Sequence, residues 1–189
     1  MKHIYLDTNI ILSLIRHAEE IFPDVEKMLE LSHLIYYTGT VTLVEMASVL
    51  SREYNTIKKG ISKLNNELDL PELIKLTPKE QIELIISYLL SKFQVSVLED
   101  LNPDNYVYKK LNSKINPIYK LALKQTLMTK LRSLDNIHFA TARFYDEYLE
   151  FKIQYLVTAD SGFLNKKKFC HKISDITIID PKAFVEIES

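Results

Sequence analysis

With 189 residues, 47% of them hydrophobic and 26% charged, and a formal net charge of −1, the chain has the size and composition of one soluble globular domain. Its single cysteine, Cys170, excludes an internal disulfide framework and a cysteine-based zinc site, and it favours a reducing, intracellular compartment. No apolar stretch approaches the roughly 20 residues of a membrane span and no signal peptide precedes the first predicted strand, so we expect a cytoplasmic protein.

The predicted elements alternate between strands and helices along the chain. In chain order they are a strand at 2–7, helices at 10–21 and 25–31, a strand at 34–38, a helix beginning at Thr42, helices at 57–68 and 79–92, a strand at 93–98, helices at 118–131 and 133–150, strands at 153–158 and 176–179, and a terminal helix opened by Pro181. Pro23 is expected to end the first helix, and Glu45 to complete a capping box with Thr42.

This alternation predicts an α/β fold of three layers, α/β/α, around a central, mainly parallel sheet of about five strands. We expect a single domain over residues 1–189, with a helical elaboration around residues 55–92. Right-handed crossovers place the carboxyl ends of parallel strands along one edge of the sheet. Asp7 and Asp160, which follow the strands at 2–7 and 153–158, are therefore predicted to share that edge.

Glycine-based motifs are excluded, which directs attention to the acids. The three glycines cannot form the patterns GxGxxG or GxxxxGKS/T, so dinucleotide-fingerprint and P-loop sites are ruled out. Besides Asp7 and Asp160, Glu45 lies in the first turns of the helix after the second strand, and Asp135 lies at the start of the helix at 133–150. Each acid also has a structural interpretation, as a helix cap, a favourable charge at a helix N-terminus or a turn residue.

Four segments around these acids together resemble the PIN-domain ribonucleases, in particular the toxins of VapC type. The segments are LDTNI at 6–10, TLVEM at 42–46, LDNIHFATA at 134–142 and VTADSGF at 157–163. They occur in the order of the family and extend over nearly the whole chain.

The resemblance implies a divalent-metal-dependent endoribonuclease in which Asp7, Glu45, Asp135 and Asp160 form the catalytic, metal-binding cluster. Such a set of hard oxygen ligands suits one or two Mg²⁺ or Mn²⁺ ions. The resemblance further implies a toxin that acts on RNA, is blocked by a small antitoxin protein and forms a homodimer.

Three polar residues beside the acids are candidates for supporting them. Asn9 and Thr8 follow Asp7 directly, and Thr158 precedes Asp160 by two residues. Their alternative interpretation is helix capping for Thr8 or Asn9, and strand propensity for Thr158. His138 lies one turn after Asp135, but we expect a structural histidine there and leave it outside the site.

The basic residues are distributed unevenly and predict a surface for RNA. Residues 102–132 carry seven basic side chains against the single acid Asp104, a net charge of +6 in a chain of −1. Further lysines follow Asp160. The expected RNA-binding residues are Lys109, Lys110, Lys120, Lys124, Lys130, Arg132, Lys166 and Lys167. The alternative is a solvated basic helix face.

Two other functions are also compatible with the sequence. The 52–133 separation between the second and third segments is longer than is common in toxins of this type, which leaves room for an RNA-processing or quality-control nuclease. A catalytically silent RNA-binding or scaffold protein is the other alternative, although the presence of all four acids argues against it.

Overall fold

The computed structural model describes residues 1–16, 21–54, 75–100, 107–108 and 113–189. Its elements, in chain order, are β1 (Lys2–Leu6), α1 (Thr8–Arg16), α2 (Phe22–Leu29), β2 (Leu34–Gly39), α3 (Thr40–Arg52), α4 (Pro78–Lys92), β3 (Val95–Leu98), β4 (Val107–Tyr108), β5 (Ser113–Lys114), α5 (Pro117–Thr129), α6 (Ser133–Leu149), β6 (Ile153–Val157), α7 (Ser161–Leu164), α8 (Lys167–Cys170), β7 (Thr177–Ile179) and α9 (Pro181–Glu188). The predicted helix at 57–68 lies outside the described residues, as does most of the expected elaboration around 55–92.

The central sheet confirms the predicted α/β class. Five strands lie in the order β3-β2-β1-β6-β7, and every neighbouring pair is parallel. The short strands β4 and β5 form a separate antiparallel pair. Because β1 occupies the centre, its carboxyl end lies beside those of β2 and β6, which is the placement that a shared site requires.

Helices cover both faces of this sheet, as the three-layer prediction requires. Along β1, Ile4 and Leu6 are buried in a core that includes residues of α1, α2, α3, α4 and α9. Tyr5 points to the opposite face and is buried in a core that includes residues of α5, α6, α7 and α8. A strand buried on both faces needs apolar residues in succession, which explains the run from Ile4 to Leu6. Among the described residues, none of the helices is long and apolar enough to cross a membrane.

Two of the predicted helix boundaries are wrong, and both errors have a local cause. Pro23 lies in the first turn of α2 instead of ending α1, where its missing N–H is not needed for a hydrogen bond. Helix α3 begins at Thr40 with Gly39 as its N-cap. The Thr42 hydroxyl is hydrogen-bonded to the Thr38 hydroxyl at 2.5 Å, so Thr42 is not the N-cap of α3 that the sequence predicted.

A buried amide fixes helix α6 against helix α5. The Asn136 side-chain amide donates to the Ala122 carbonyl and to the Thr126 hydroxyl, both at 2.8 Å. Its carbonyl oxygen accepts a hydrogen bond from Gln125 at 2.9 Å. Since Asn136 follows Asp135 directly, this network also sets where the acid at the start of α6 is held.

Replacing Asn136→Ala should lower the free energy of unfolding by about 1–3 kcal/mol, because buried partners on α5 lose their hydrogen bonds. Urea denaturation measures the change. The control is Lys124→Ala on the exposed side of α5, which should stay within about 0.5 kcal/mol of wild type. Equal stability of Asn136→Ala and wild type would contradict the role of this network.

Candidate active site

The parallel topology brings the predicted acids to one edge of the sheet. Asp7 follows β1 and its backbone N–H donates to the Val157 carbonyl at 3.0 Å, so the ends of β1 and β6 are joined at this point. Asp160 lies three residues after the end of β6, and Glu45 lies on α3, which follows β2. The predicted common edge for Asp7 and Asp160 is therefore what the fold provides.

The Asp7 carboxylate is buried and held by hydrogen bonds to both of its oxygens. Its Oδ1 accepts from the Thr8 backbone N–H at 2.7 Å, and its Oδ2 accepts from Asn9 Nδ2 at 3.0 Å and Thr158 Oγ1 at 2.5 Å. Only 6% of Asp7 is exposed. Burial penalises a carboxylate, and hydrogen bonds to its charged form offset that penalty.

Asn9 and Thr158 also connect the two strand ends to each other. Asn9 Oδ1 accepts from the Ala159 backbone N–H at 3.0 Å, and Thr158 Oγ1 accepts from the Asp160 backbone N–H at 3.0 Å. The two side chains lie 3.3 Å apart at Asn9 Nδ2 and Thr158 Oγ1. Both residues thus contact an acid of the cluster, as the sequence analysis expected of supporting residues.

Glu45 is oriented by two residues from other elements. Its Oε2 accepts hydrogen bonds from the Thr8 hydroxyl and from His138 Nε2, the latter at 2.7 Å. Burial acts to raise the pKa of Glu45, but the hydrogen bond and charge of His138 and the hydrogen bond from Thr8 bring it below its usual value. Glu45 is therefore held as a carboxylate that faces Asp7, and the predicted capping box with Thr42 does not form.

His138 is the residue of this site that sequence analysis left out. Its imidazole is 1% exposed, with Nδ1 hydrogen-bonded to the Tyr5 hydroxyl at 2.9 Å and Nε2 3.5 Å from Asp7 Oδ1. Burial acts to lower the pKa of His138, but the charges of Asp7 and Glu45 outweigh it and raise the pKa. Its spacing of three residues from Asp135 on one helix was the available signal, since such residues share a face.

Asp135 and Asp160 complete the acidic group. Burial and the charges of Asp160 and Asp7 raise the pKa of Asp135 to about 6. Asp160 has a structural role as well, since its Oδ1 caps α7 by accepting from the Gly162 and Phe163 backbone N–H groups at 2.5 and 3.1 Å. A Cβ at Gly162 would lie 2.9 Å from this oxygen, so a larger residue there would displace the Asp160 carboxylate from its capping position.

This donor set fits a divalent cation. Ligand atoms of Asp7, Glu45 and His138 all lie within 4.8 Å of one another in the described structure. Asp135 and Asp160 are outside that group, although burial and the charges of Asp160 and Asp7 raise the pKa of Asp135. The carboxylate oxygens of the group are the ligands that suit Mg²⁺ or Mn²⁺.

The predicted RNA-binding residues divide into two groups in the structure. Lys120 and Lys124 line a cleft beside Phe144 and Tyr148, near the C-terminal end of α6. That end is roughly 20 Å along the helix from Asp135, at 1.5 Å per residue. The other described members are Lys130, Arg132, Lys166 and Lys167, which lie in the segments next to Asp135 and Asp160. Lys109 and Lys110 lie outside the described residues.

The fold and the site together define an α/β protein with an acidic cluster at the carboxyl edge of a parallel sheet. The PIN domain family model matches residues 4–168, so this chain belongs to the PIN domain family, whose members are nucleases.

Comparison with solved structures identified a chain in the crystal structure of VapBC2 from Rickettsia felis bound to a DNA fragment from their promoter. Its TM-score to this protein is 0.49 at 13% sequence identity, with 94% of this chain and 98% of that chain covered. A comparison with curated proteins gave no significant match.

The burial and proximity of the acids predict that they lower the stability of the metal-free protein in a pH-dependent way. The folded state holds the Asp135 proton more tightly than the unfolded chain, so the contribution of Asp135 to the free energy of unfolding should fall as pH rises from about 4 to 7. Asp135→Asn removes this contribution. Its stability relative to wild type should therefore increase through that window, as measured by urea denaturation with a chelator present.

The matched control is Asp24→Asn, which removes a carboxylate from the first turn of α2, where it lies 3.9 Å from Lys27. Its stability relative to wild type should not increase through the same window. If the difference between Asp135→Asn and wild type stayed constant from pH 4 to 7, the electrostatic coupling of Asp135 to Asp7 and Asp160 would be refuted.

Proposed function

We propose that this protein is a divalent-metal-dependent endoribonuclease that hydrolyses RNA phosphodiester bonds, and that it acts as the toxin of a toxin–antitoxin pair. The observation that carries the enzymatic proposal is the convergence of Asp7, Glu45, Asp135 and Asp160 at one edge of the sheet, with the pKa of Asp135 raised to about 6 by burial and by the charges of Asp160 and Asp7. Membership of the PIN domain family supports hydrolysis of nucleic acid.

In the proposed enzyme, the four acids hold one or two Mg²⁺ or Mn²⁺ ions. When bound, such an ion supplies positive charge that offsets the scissile phosphate and lowers the pKa of the attacking water. His138 Nε2 is a potential nitrogen ligand beside this set, at 2.7 Å from Glu45 Oε2 and 3.5 Å from Asp7 Oδ1. Because its Nε2 is already bonded to Glu45, we assign it to orienting that carboxylate.

The remaining polar residues keep the acids in a fixed geometry. Asn9 and Thr158 bind Asp7 Oδ2, so that oxygen cannot turn away from the strand edge. Thr8 and His138 restrain Glu45 Oε2 in the same manner, through their hydrogen bonds to it. An arrangement fixed before substrate binds avoids a cost of reorganisation during the reaction.

RNA is the proposed substrate because basic side chains lie next to the acids. Lys130 and Arg132 precede Asp135 by a few residues, and Lys166 and Lys167 follow Asp160. Phosphate binding by these residues would place the RNA backbone at the carboxyl edge of the sheet. Lys120 and Lys124 lie farther along α5, beside the exposed ring of Tyr148, where they would bind a more distant part of the RNA.

The catalytic proposal predicts that Asp7→Asn lowers RNA cleavage by more than about 100-fold, whereas the supporting substitution Thr158→Val lowers it by about 10–100-fold. Mn²⁺ should raise the thermal unfolding temperature of wild type, and this increase should be smaller in Asp7→Asn. Cleavage of a labelled RNA and thermal melting with and without Mn²⁺ measure both effects.

The control for these variants is Lys182→Gln on α9, an exposed residue of the helix layer that packs against the other face of the sheet from α5 and α6. It should cleave RNA at the wild-type rate. Wild-type cleavage no faster than that of Asp7→Asn would refute the enzyme and favour a silent RNA-binding or scaffold protein.

The toxin role, the antitoxin partner and the homodimer rest on the resemblance of the four sequence segments to toxins of VapC type. Induced synthesis of wild type in a bacterial host should arrest growth, and synthesis of Asp7→Asn at the same level should not. A small neighbouring gene that encodes a DNA-binding N-terminus and an apolar tail would support an antitoxin. Active nuclease without growth arrest would favour an RNA-processing or quality-control enzyme.

A further inference from the structure

Three lysine side chains converge on one aromatic ring near the acidic site. The ammonium groups of Lys130, Lys166 and Lys172 lie 5.0, 6.0 and 5.6 Å from the centre of the Phe169 ring. Lys130 is the C-cap of α5, whereas Lys166 and Lys172 flank α8. We call these four residues the Phe169 cluster. It is assembled by tertiary structure from two separate segments of the chain.

The positive charges of this cluster have no protein counter-ion among the described residues. In the part of the chain that the structure describes, no ion pair involves Lys130, Lys166 or Lys172. The negative face of an aromatic ring attracts ammonium groups, but this attraction is weak where the groups are exposed to water. Three like charges around one ring therefore leave a region of positive potential that favours an anion.

The cluster continues directly to the acidic site. Arg132 lies two residues after Lys130, and its guanidinium carbon lies 3.8 Å from the position that a Gly162 Cβ would occupy. Gly162 is in the first turn of α7, the turn that Asp160 caps. The charge of Arg132 also acts to lower the pKa of Asp135. Arg132, beside the turn that Asp160 caps, and Lys130, at the Phe169 ring, thus connect the acids to the cluster.

We propose that the Phe169 cluster is a phosphate subsite that binds one backbone phosphate of the RNA substrate next to the scissile phosphate. This rests on the proposed ribonuclease function, and it separates the predicted basic residues by role. Lys130 and Lys166 belong to the subsite, together with Lys172 and Phe169, which the sequence analysis did not select. A phosphate there would be neutralised by the lysines while Arg132 spans the distance to the acids.

The test measures binding of a short single-stranded oligouridylate by fluorescence anisotropy, with a chelator present so that no cleavage occurs. The variant is Lys130→Gln/Lys166→Gln/Lys172→Gln. The matched control, Lys27→Gln/Lys79→Gln/Lys182→Gln, removes the same charge from α2, α4 and α9, which pack on the other face of the sheet.

The variant should lose about tenfold in affinity at low salt, and its plot of log affinity against log salt concentration should be shallower by about 0.7, the value for one phosphate of a single strand. The control should keep the wild-type affinity and slope. Equal affinity and slope in the variant and the control would overturn the proposal.

A second arm changes the RNA instead of the protein and compares wild type with the triple variant. Oligouridylates with one methylphosphonate, which has no charge, are compared position by position. One position should weaken binding to wild type and have no effect on binding to the triple variant. A scan in which every position weakens binding to both proteins equally would overturn the proposal.

The two sources of phosphate are distinguished by titrating inorganic phosphate alone. Free phosphate should bind much more weakly than the oligouridylate, because it makes no contact with Arg132 or with the other predicted RNA-binding residues. If free phosphate bound as tightly as the RNA, and the variant lost only that binding, the site would be a free-anion site and the proposal would be wrong. Because every arm measures binding, its outcome is independent of whether the protein cleaves RNA.

Discussion

The repulsion among carboxylates at the centre of the sheet is the constraint on which the rest of the site depends. Asp7 is buried where β1 ends, and burial together with the charges of Asp160 and Asp7 raises the pKa of Asp135. A group of buried carboxylates is stable only if hydrogen bonds, an imidazolium or a cation offsets the cost of burying their negative charge. Asn9, Thr158, Thr8 and His138 provide that compensation in part, and each also fixes the direction of an acid.

The fold makes this arrangement possible because four different elements end or begin at the same edge. The end of β1 supplies Asp7, α3 supplies Glu45, the first turn of α6 supplies Asp135, and the end of β6 supplies Asp160. The buried network of Asn136 holds α6 against α5, so the position of Asp135, the preceding residue, depends on the packing of these two helices. Rigid elements hold an active site more exactly than loops do, and here every acid is attached to one.

The sequence predicted the sheet and the common edge of Asp7 and Asp160 well because these features are local. Apolar strands that stop at Asp7 and near Asp160 are visible as short patterns, and the parallel order of the sheet follows from alternating strands and helices. Helix boundaries were less predictable, since Pro23 can end one helix or open the next. Thr42 and Glu45 matched a capping box in spacing, but the Thr42 hydroxyl is hydrogen-bonded to Thr38 and the Glu45 carboxylate to His138.

What the sequence determined by itself is the α/β class and the common edge of Asp7 and Asp160, because both depend on residue type and spacing along the chain. Only the tertiary structure decided which neighbours these acids have. His138 reaches Glu45 across 93 residues, and Lys130 meets Lys166 and Lys172 over Phe169. Contacts between distant segments depend on how whole helices and strands pack, and a local sequence pattern does not predict that packing.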